Sequence, residues 1–293
     1  MKQSLIAVFS DPHGGHKLGL CNPETIIEND DTGEIKEISP VLNDAQLLLW
    51  EVYSNAIENV KLLAGKDDVM LWCIGDLTQG NHYISEQMTT RIADQLFIAE
   101  YIFYPWFDKI PKIEKVRIAK GTGSHEFGEG SSSLAVAKSL RAKFPKKDIR
   151  SVYHGLARTN QGIFIDYAHH GPYPGSRNWL KGNEARYYLR SIMIGELNSG
   201  NIPPHIVLRG HYHEYVKEYL SIIANGTEHE SWITIIPSMD MLSSYARQKS
   251  MSASRVTNGV VVYELIGDRV HNIHFFGTTT DIRTGDRDWE TYP

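Results

Sequence analysis

The chain has 293 residues, 41% of them hydrophobic and 22% charged, a balance that suits a globular protein with a sizeable core. A net charge of −5 supplies no global basic field toward nucleic acid or anionic membrane, although a locally basic or metal-bearing site would escape that argument. Two cysteines, Cys21 and Cys73, build no disulfide framework and no CxxC; no signal-peptide pattern and no membrane-length apolar run is present, so a reducing cytoplasm is the expected setting.

Residues 5–9 read as a short buried strand that ends abruptly in Asp11, Pro12 and His13. Residues 28–38, acidic with a central glycine, suggest an exposed turn or small hairpin. Residues 43–64 predict a helix capped by Asn43, with Leu47, Trp50, Tyr53, Ile57 and Val60 on one face. A second buried strand over 69–76 is followed by one long aromatic helix over 84–108, read as core. A third strand, 115–121, precedes a serine-started helix over 131–144. Strands are expected at 162–171 and 205–213, with a helix over 184–198 between them, and residues 214–276 read as successive β segments. The expected organisation is one domain over 1–293, with a small insertion near 20–40 and a β-rich part over 214–293. Buried strands alternating with helices imply an α/β fold.

Five strand tips carry carboxylate or imidazole: Asp11 and His13, then Asp76, then Ser124-His125-Glu126, then His169-His170, then His211 and His213. One aspartate after a strand is a turn former as often as a ligand. Five successive tips point to one shared site, because ligands in open α/β sheets collect at the carboxyl ends of strands. Mixed imidazole and carboxylate donors suit Mn, Zn or Fe better than calcium, and they are too many for one closed tetrahedral zinc. Two divalent ions fit the donor count.

The ordered segments DPH, GDLTQG, GSHE, HHG and GHYH, spread over residues 11–213, resemble the metallophosphoesterase (calcineurin-like phosphoesterase) superfamily, whose signature reads DxH, GD, GNH[DE], HG and GHxH. The middle segment GTGSHEFG is similar to phage-encoded members with GTxxHxG, which would place the protein in a host cytoplasm. The resemblance implies two packed mixed sheets flanked by helices, an αββα sandwich. It also implies hydrolysis of a phosphoester, by a hydroxide held between two ions. Asp11, His13 and His213 would serve the first ion, Asp76 both, and His170 and His211 the second. His125 would be a non-ligand catalytic group near the leaving oxygen.

Ser124 departs from the pattern, standing where the family has asparagine; a serine hydroxyl is a poorer neutral donor, which implies a weak second position unless Asn81 or His82 swings in. If the strand persists, only one of His169 and His170 faces the site. The resemblance selects His170, beside Gly171, and leaves His169 in the core or behind a ligand. His154-Gly155 is a competing pair ahead of a hairpin. His16 is a candidate substrate contact or a solvent-facing group. Arg177 and Lys181 could grip phosphate and Trp179 or Tyr173 could stack on a base, against the plainer reading of a solvated loop. That cluster favours a phosphodiester in a nucleotide or nucleic acid over a phosphomonoester, including a phosphoprotein. A metal-binding scaffold without catalysis is the reading from another class, and no membrane partner is expected.

Overall fold

The first strand, β1 (Gln3–Phe9), is apolar at every position from Leu5 onward because both of its faces are covered. Leu5, Ala7 and Phe9 face one core and Ile6 and Val8 another, the period-two alternation of a pleated strand. In the computed structural model described here, residues 3–29, 36–128, 130–175, 180–242 and 254–283 are defined. After β1 come a small hairpin of β2 (Ile27–Asn29) and β3 (Lys36–Ile38), helix α1 (Asp44–Ala64) and strand β4 (Asp68–Ile74). Next are α2 (Ile92–Tyr101), α3 (Tyr104–Lys109), β5 (Lys115–Ala119), α4 (Ser131–Lys143), β6 (Asp148–Val152), β7 (His154–Arg158) and β8 (Phe164–Ala168). The chain continues through α5 (Asn183–Asn198), β9 (Ile206–Arg209), β10 (Val216–Ala224), β11 (Thr227–Ile235), β12 (Arg255–Ile266) and β13 (Arg269–Asp281).

Two mixed sheets result. The larger runs β13-β12-β1-β4-β5-β6, with β1, β4, β5 and β6 parallel; the smaller runs β10-β11-β9-β8-β7, with β8, β9 and β11 parallel. Ile6, Val8, Trp72 and Ile74 of the first meet Ile165, Tyr167 and Leu208 of the second in the inter-sheet core. The outer face of the large sheet is covered by α1 to α4, through residues such as Tyr53, Ile57, Trp106 and Leu140. Helix α5 covers the small sheet with Ala185, Leu189 and Met193. The fold is therefore helix, sheet, sheet, helix, two mixed sheets flanked by helices as expected.

Two local expectations are corrected. Asn43 caps α1 in a reciprocal box with Gln46, but the buried stripe runs through Leu49, Tyr53, Ala56, Ile57 and Val60, while Leu47 is exposed. Residues 84–108 are not one helix: a single 3₁₀ turn at Ile84–Glu86 is followed by α2 and α3, which meet at Ile102–Phe103. Pro105 lies in the first turn of α3, where its missing N–H costs nothing, whereas a continuous helix would place it inside. No helix of the described residues is long and apolar enough to cross a membrane.

Candidate metal centre

The parallel strands β1, β4 and β5 end at one edge of the large sheet, and β8 and β9 end beside them in the small one. The chain after β1 stays in register with that after β4: Asp11 N–H donates to Gly75 O and His13 N–H to Asp76 O. The two sheets touch where Gly210 follows β9, and a Cβ there would lie 2.3 Å from Ser10 Oγ and 2.8 Å from Ile74 O. Only glycine permits that approach, and it brings His211 and His213 to the aspartates. Non-glycine residues with positive φ include Asp11, His13, Asp76, His211 and His213, so backbone strain is concentrated in the candidate donors. Strain of this kind costs on the order of 1–3 kcal/mol per residue and marks sites where side-chain direction matters more than comfort.

Four overlapping donor groups lie together: Asp11/His13/His213, His13/Asp76/His125, Asp11/Asp76/His169 and His169/His170/His211, each with ligand atoms within 4.8 Å of one another. Asp11 Oδ1 stands 4.0 Å from His13 Nε2, 3.9 Å from His169 Nε2 and 3.5 Å from His213 Nε2. Asp76 Oδ2 stands 4.0 Å from His13 Nε2 and 3.0 Å from His169 Nε2. The outer ring nitrogens are anchored: His13 Nδ1 on Gln79 Oε1 at 3.1 Å, His169 Nδ1 on Ile74 O at 2.7 Å, and His125 Nδ1 on Gln79 O at 2.7 Å. A carbonyl can only accept, so Nδ1 of His169 and of His125 carries a proton, and Nε2 is the atom turned inward. That is the arrangement of metal-bound imidazoles.

The donor set fits a divalent cation. Asp11 Oδ1, His13 Nε2 and His169 Nε2 are buried and have no hydrogen-bond partner among the described residues. Each such atom costs about 1–3 kcal/mol while unsatisfied; one cation among Asp11, His13 and His213 and another among Asp11, Asp76 and His169 would satisfy all three. Protonation is arranged accordingly. Burial alone would lower His169, but Asp76 and Asp11 outweigh it and raise the imidazole to about 10. Burial would raise Asp11, yet His169 and His213 hold it at about 2. Asp76 likewise lies well below the usual carboxylate range, burial opposing and His169 prevailing. Burial, reinforced by neighbouring imidazoles, pushes His13 well down and His211 to about 4. Neutral His13 and His211 thus offer lone pairs, and one proton on His169 holds the place of positive charge.

The sequence matches no protein-family model and no curated protein. Among solved structures it is similar to a metallophosphoesterase from Sphaerobacter thermophilus, with a TM-score of 0.37 and 11% identity over 94% of this chain and 87% of that one.

Asp11, His13, Asp76, His125, His170, His211 and His213 all fall in the four groups. His169 does too, so the expectation that only one of the adjacent histidines faces the site is corrected. Strand β8 ends at Ala168, and beyond it the pleat no longer alternates the side chains. His169 is buried between the two aspartates, whereas His170 is exposed, its ring beside those of His169 and His211.

Other candidates lie elsewhere. Asn81 and His82 are exposed and belong to no donor group among the described residues. Ser124 Oγ makes no hydrogen bond among them. His16 is neither solvent-facing nor open to substrate: it is buried, with Nδ1 2.7 Å from Asp240 Oδ1 and Nε2 3.8 Å from Glu86 Oε2. Burial would lower His16, but Asp240 raises it, while burial raises Asp240 in turn; the pair lies behind His13. Lys181 is already paired with Glu214 at 2.8 Å, and His154 with Asp166 at 3.0 Å. Arg177 and Trp179 lie outside the described residues.

Four contributors were not singled out from sequence. Ser10 donates to Asp11 Oδ2, Gln79 orients two histidines, Asp240 holds His16, and Thr122 bonds Asp76 through both its N–H and its hydroxyl. Thr122 and Gln79 sit inside the quoted motif segments and could have been found there. Asp240, far along the chain, had no local signal.

Proposed function

We propose that this chain is a metal-dependent phosphoesterase that cleaves a phosphodiester in a nucleotide or nucleic acid, with two divalent ions (Mn, Zn or Fe) held by Asp11, His13, Asp76, His169, His170, His211 and His213. The observation that carries the reading is that Asp11 Oδ1, His13 Nε2 and His169 Nε2 are buried without a hydrogen-bond partner among the described residues, Asp11 Oδ1 standing 4.0 Å from the one ring nitrogen and 3.9 Å from the other. The ordered motifs of the sequence agree with it. Asp11 and Asp76 each belong to two donor groups, which suits them to join neighbouring cation positions. Divalent ions bound there supply Lewis-acid polarisation of a phosphoryl group and a lowered pKa for water.

The protein's part is to hold these donors rigid and to manage one proton. His125 stands edge-on to His13 with ring centroids 4.5 Å apart, its Nδ1–H fixed on Gln79 O. Its Nε2 is the ring nitrogen left to exchange a proton with the departing oxygen of an ester. Support for a nucleotide substrate comes from Tyr173, exposed and edge-to-face with Tyr212 at 5.5 Å, beside His211. Such a pair offers a π-face next to the phosphate position.

The test is hydrolysis of bis-p-nitrophenyl phosphate beside p-nitrophenyl phosphate, with chelator-stripped protein resupplied with Mn²⁺, Zn²⁺, Fe²⁺ or Mg²⁺. Metal-dependent cleavage of the diester is expected. Preference for the monoester would overturn the diesterase assignment. Silence on both esters, with metal shown to be bound, would overturn catalysis and leave a metal-binding scaffold.

A further inference from the structure

Ser124 was the weak point of the donor set, and the structure points to another oxygen. We propose that Thr122, not Ser124, supplies the neutral oxygen donor that completes the second cation position, the one formed by Asp76, His169, His170 and His211. The inference rests on the metal-centre reading above and sharpens it.

Thr122 Oγ1 lies 3.3 Å from Asp76 Oδ2 and 3.3 Å from His211 Nδ1. Donor atoms about 2.0–2.2 Å from a shared ion lie roughly 3.0–3.5 Å from one another, and Oγ1 stands at that spacing from each of these two ligand candidates. Ser124 lacks this placement. Its carbonyl packs on Gly80, where a Cβ would come within 2.0 Å of Ser124 O, and its hydroxyl makes no hydrogen bond among the described residues.

The loop holds Thr122 in place from three sides. Thr122 N–H donates to Asp76 Oδ1 at 2.6 Å. The preceding Gly121 is pressed against the same aspartate, so close that a Cβ would meet Asp76 Oδ1 at 2.1 Å. Gly121 N–H donates to the buried carboxylate of Glu126 at 2.8 Å, and Glu126 is itself tied to Ser132 and Ser133 at the start of α4. Threonine is β-branched and stiff at χ1, so a fixed backbone also fixes where its hydroxyl points. The hydroxyl is therefore presented to the donors before any ion arrives.

The test is calorimetric titration of chelator-stripped protein with Mn²⁺ and, separately, Cd²⁺. Wild type should bind two Mn²⁺. Thr122→Val, isosteric but without the hydroxyl, should keep one ion and weaken the other by about tenfold or more. Thr122→Cys should weaken Mn²⁺ yet tighten Cd²⁺ relative to wild type, because a thiolate prefers the softer ion. Ser124→Ala and Ser124→Cys should titrate as wild type with both metals. The Cys pair keeps the proposal testable if Thr122→Val does not fold, since a merely structural threonine would not exchange metal preference. Unchanged Mn²⁺ binding in Thr122→Val, equal weakening of both metals in Thr122→Cys, or a Cd²⁺ gain in Ser124→Cys would each overturn it. Failure of wild type to bind either metal would overturn the metal-centre reading instead.

Discussion

His169 Nε2 and Asp76 Oδ2 stand 3.0 Å apart with both side chains sealed from solvent, close enough for strong attraction. A contact of this kind is what two ligands of one cation make when a proton takes the cation's place. It ties the tip of β8 to the tip of β4 and explains why His169 faces the site.

Because His169 is raised to about 10 from the ordinary 6.5, its imidazolium stabilises the metal-free protein fully below pH 6.5. That contribution fades as pH rises toward about 10. A metal ligand must shed this proton, so Mn²⁺ affinity should climb with pH from about 6.5 to 8.5, by up to roughly tenfold per unit. Calorimetry in buffers of different ionisation enthalpy should register the released proton. Affinity independent of pH, with no proton release, would remove His169 from the donor set.

The neighbouring histidines should separate under mutation. His169→Ala removes a buried donor shared by two groups and should weaken metal binding by about 10–100-fold. His170→Ala removes an exposed one and should cost less. The two dissociation constants, measured side by side, decide between them; a larger loss at His170 would restore the motif-based assignment.

Asp76→Asn leaves the side chain's shape and its contact with Thr122 largely intact but removes the charge that two donor groups share. Metal content by elemental analysis should fall, and diester turnover should nearly vanish.

His125→Ala should leave the metal content near that of wild type and cut the rate by roughly 10²–10⁴-fold, since His125 is assigned to proton transfer. Full activity would refute that role. Loss of metal would instead make His125 a ligand, as its place beside His13 and Asp76 allows.

Gly121→Ala should be poorly tolerated although alanine is small. The added methyl meets Asp76 backbone N at 2.3 Å as well as its carboxylate, so the loop must retreat. Overpacking of this order costs about 1–3 kcal/mol, visible in chemical denaturation, and the retreat should weaken Mn²⁺ binding together with stability.

The inner strands were legible because burial on both faces leaves a continuous apolar signal, as in β1 and β4, and each signal stops at a carboxylate or imidazole. The edge strands β6 and β7 were not, since DIRSV and HGLAR are polar, half-exposed and held mainly by their neighbours. Chain order alone was enough to nominate Asp11, His13, Asp76, His211 and His213. Three decisions belonged to the tertiary structure: that His169 rather than His170 lies between the carboxylates, that Thr122 rather than Ser124 reaches Asp76 and His211, and that His16 is spent on Asp240. Each depends on where a loop bends after its strand ends. There the pleat no longer sets side-chain direction, and contacts from residues as distant as Asp240 take over.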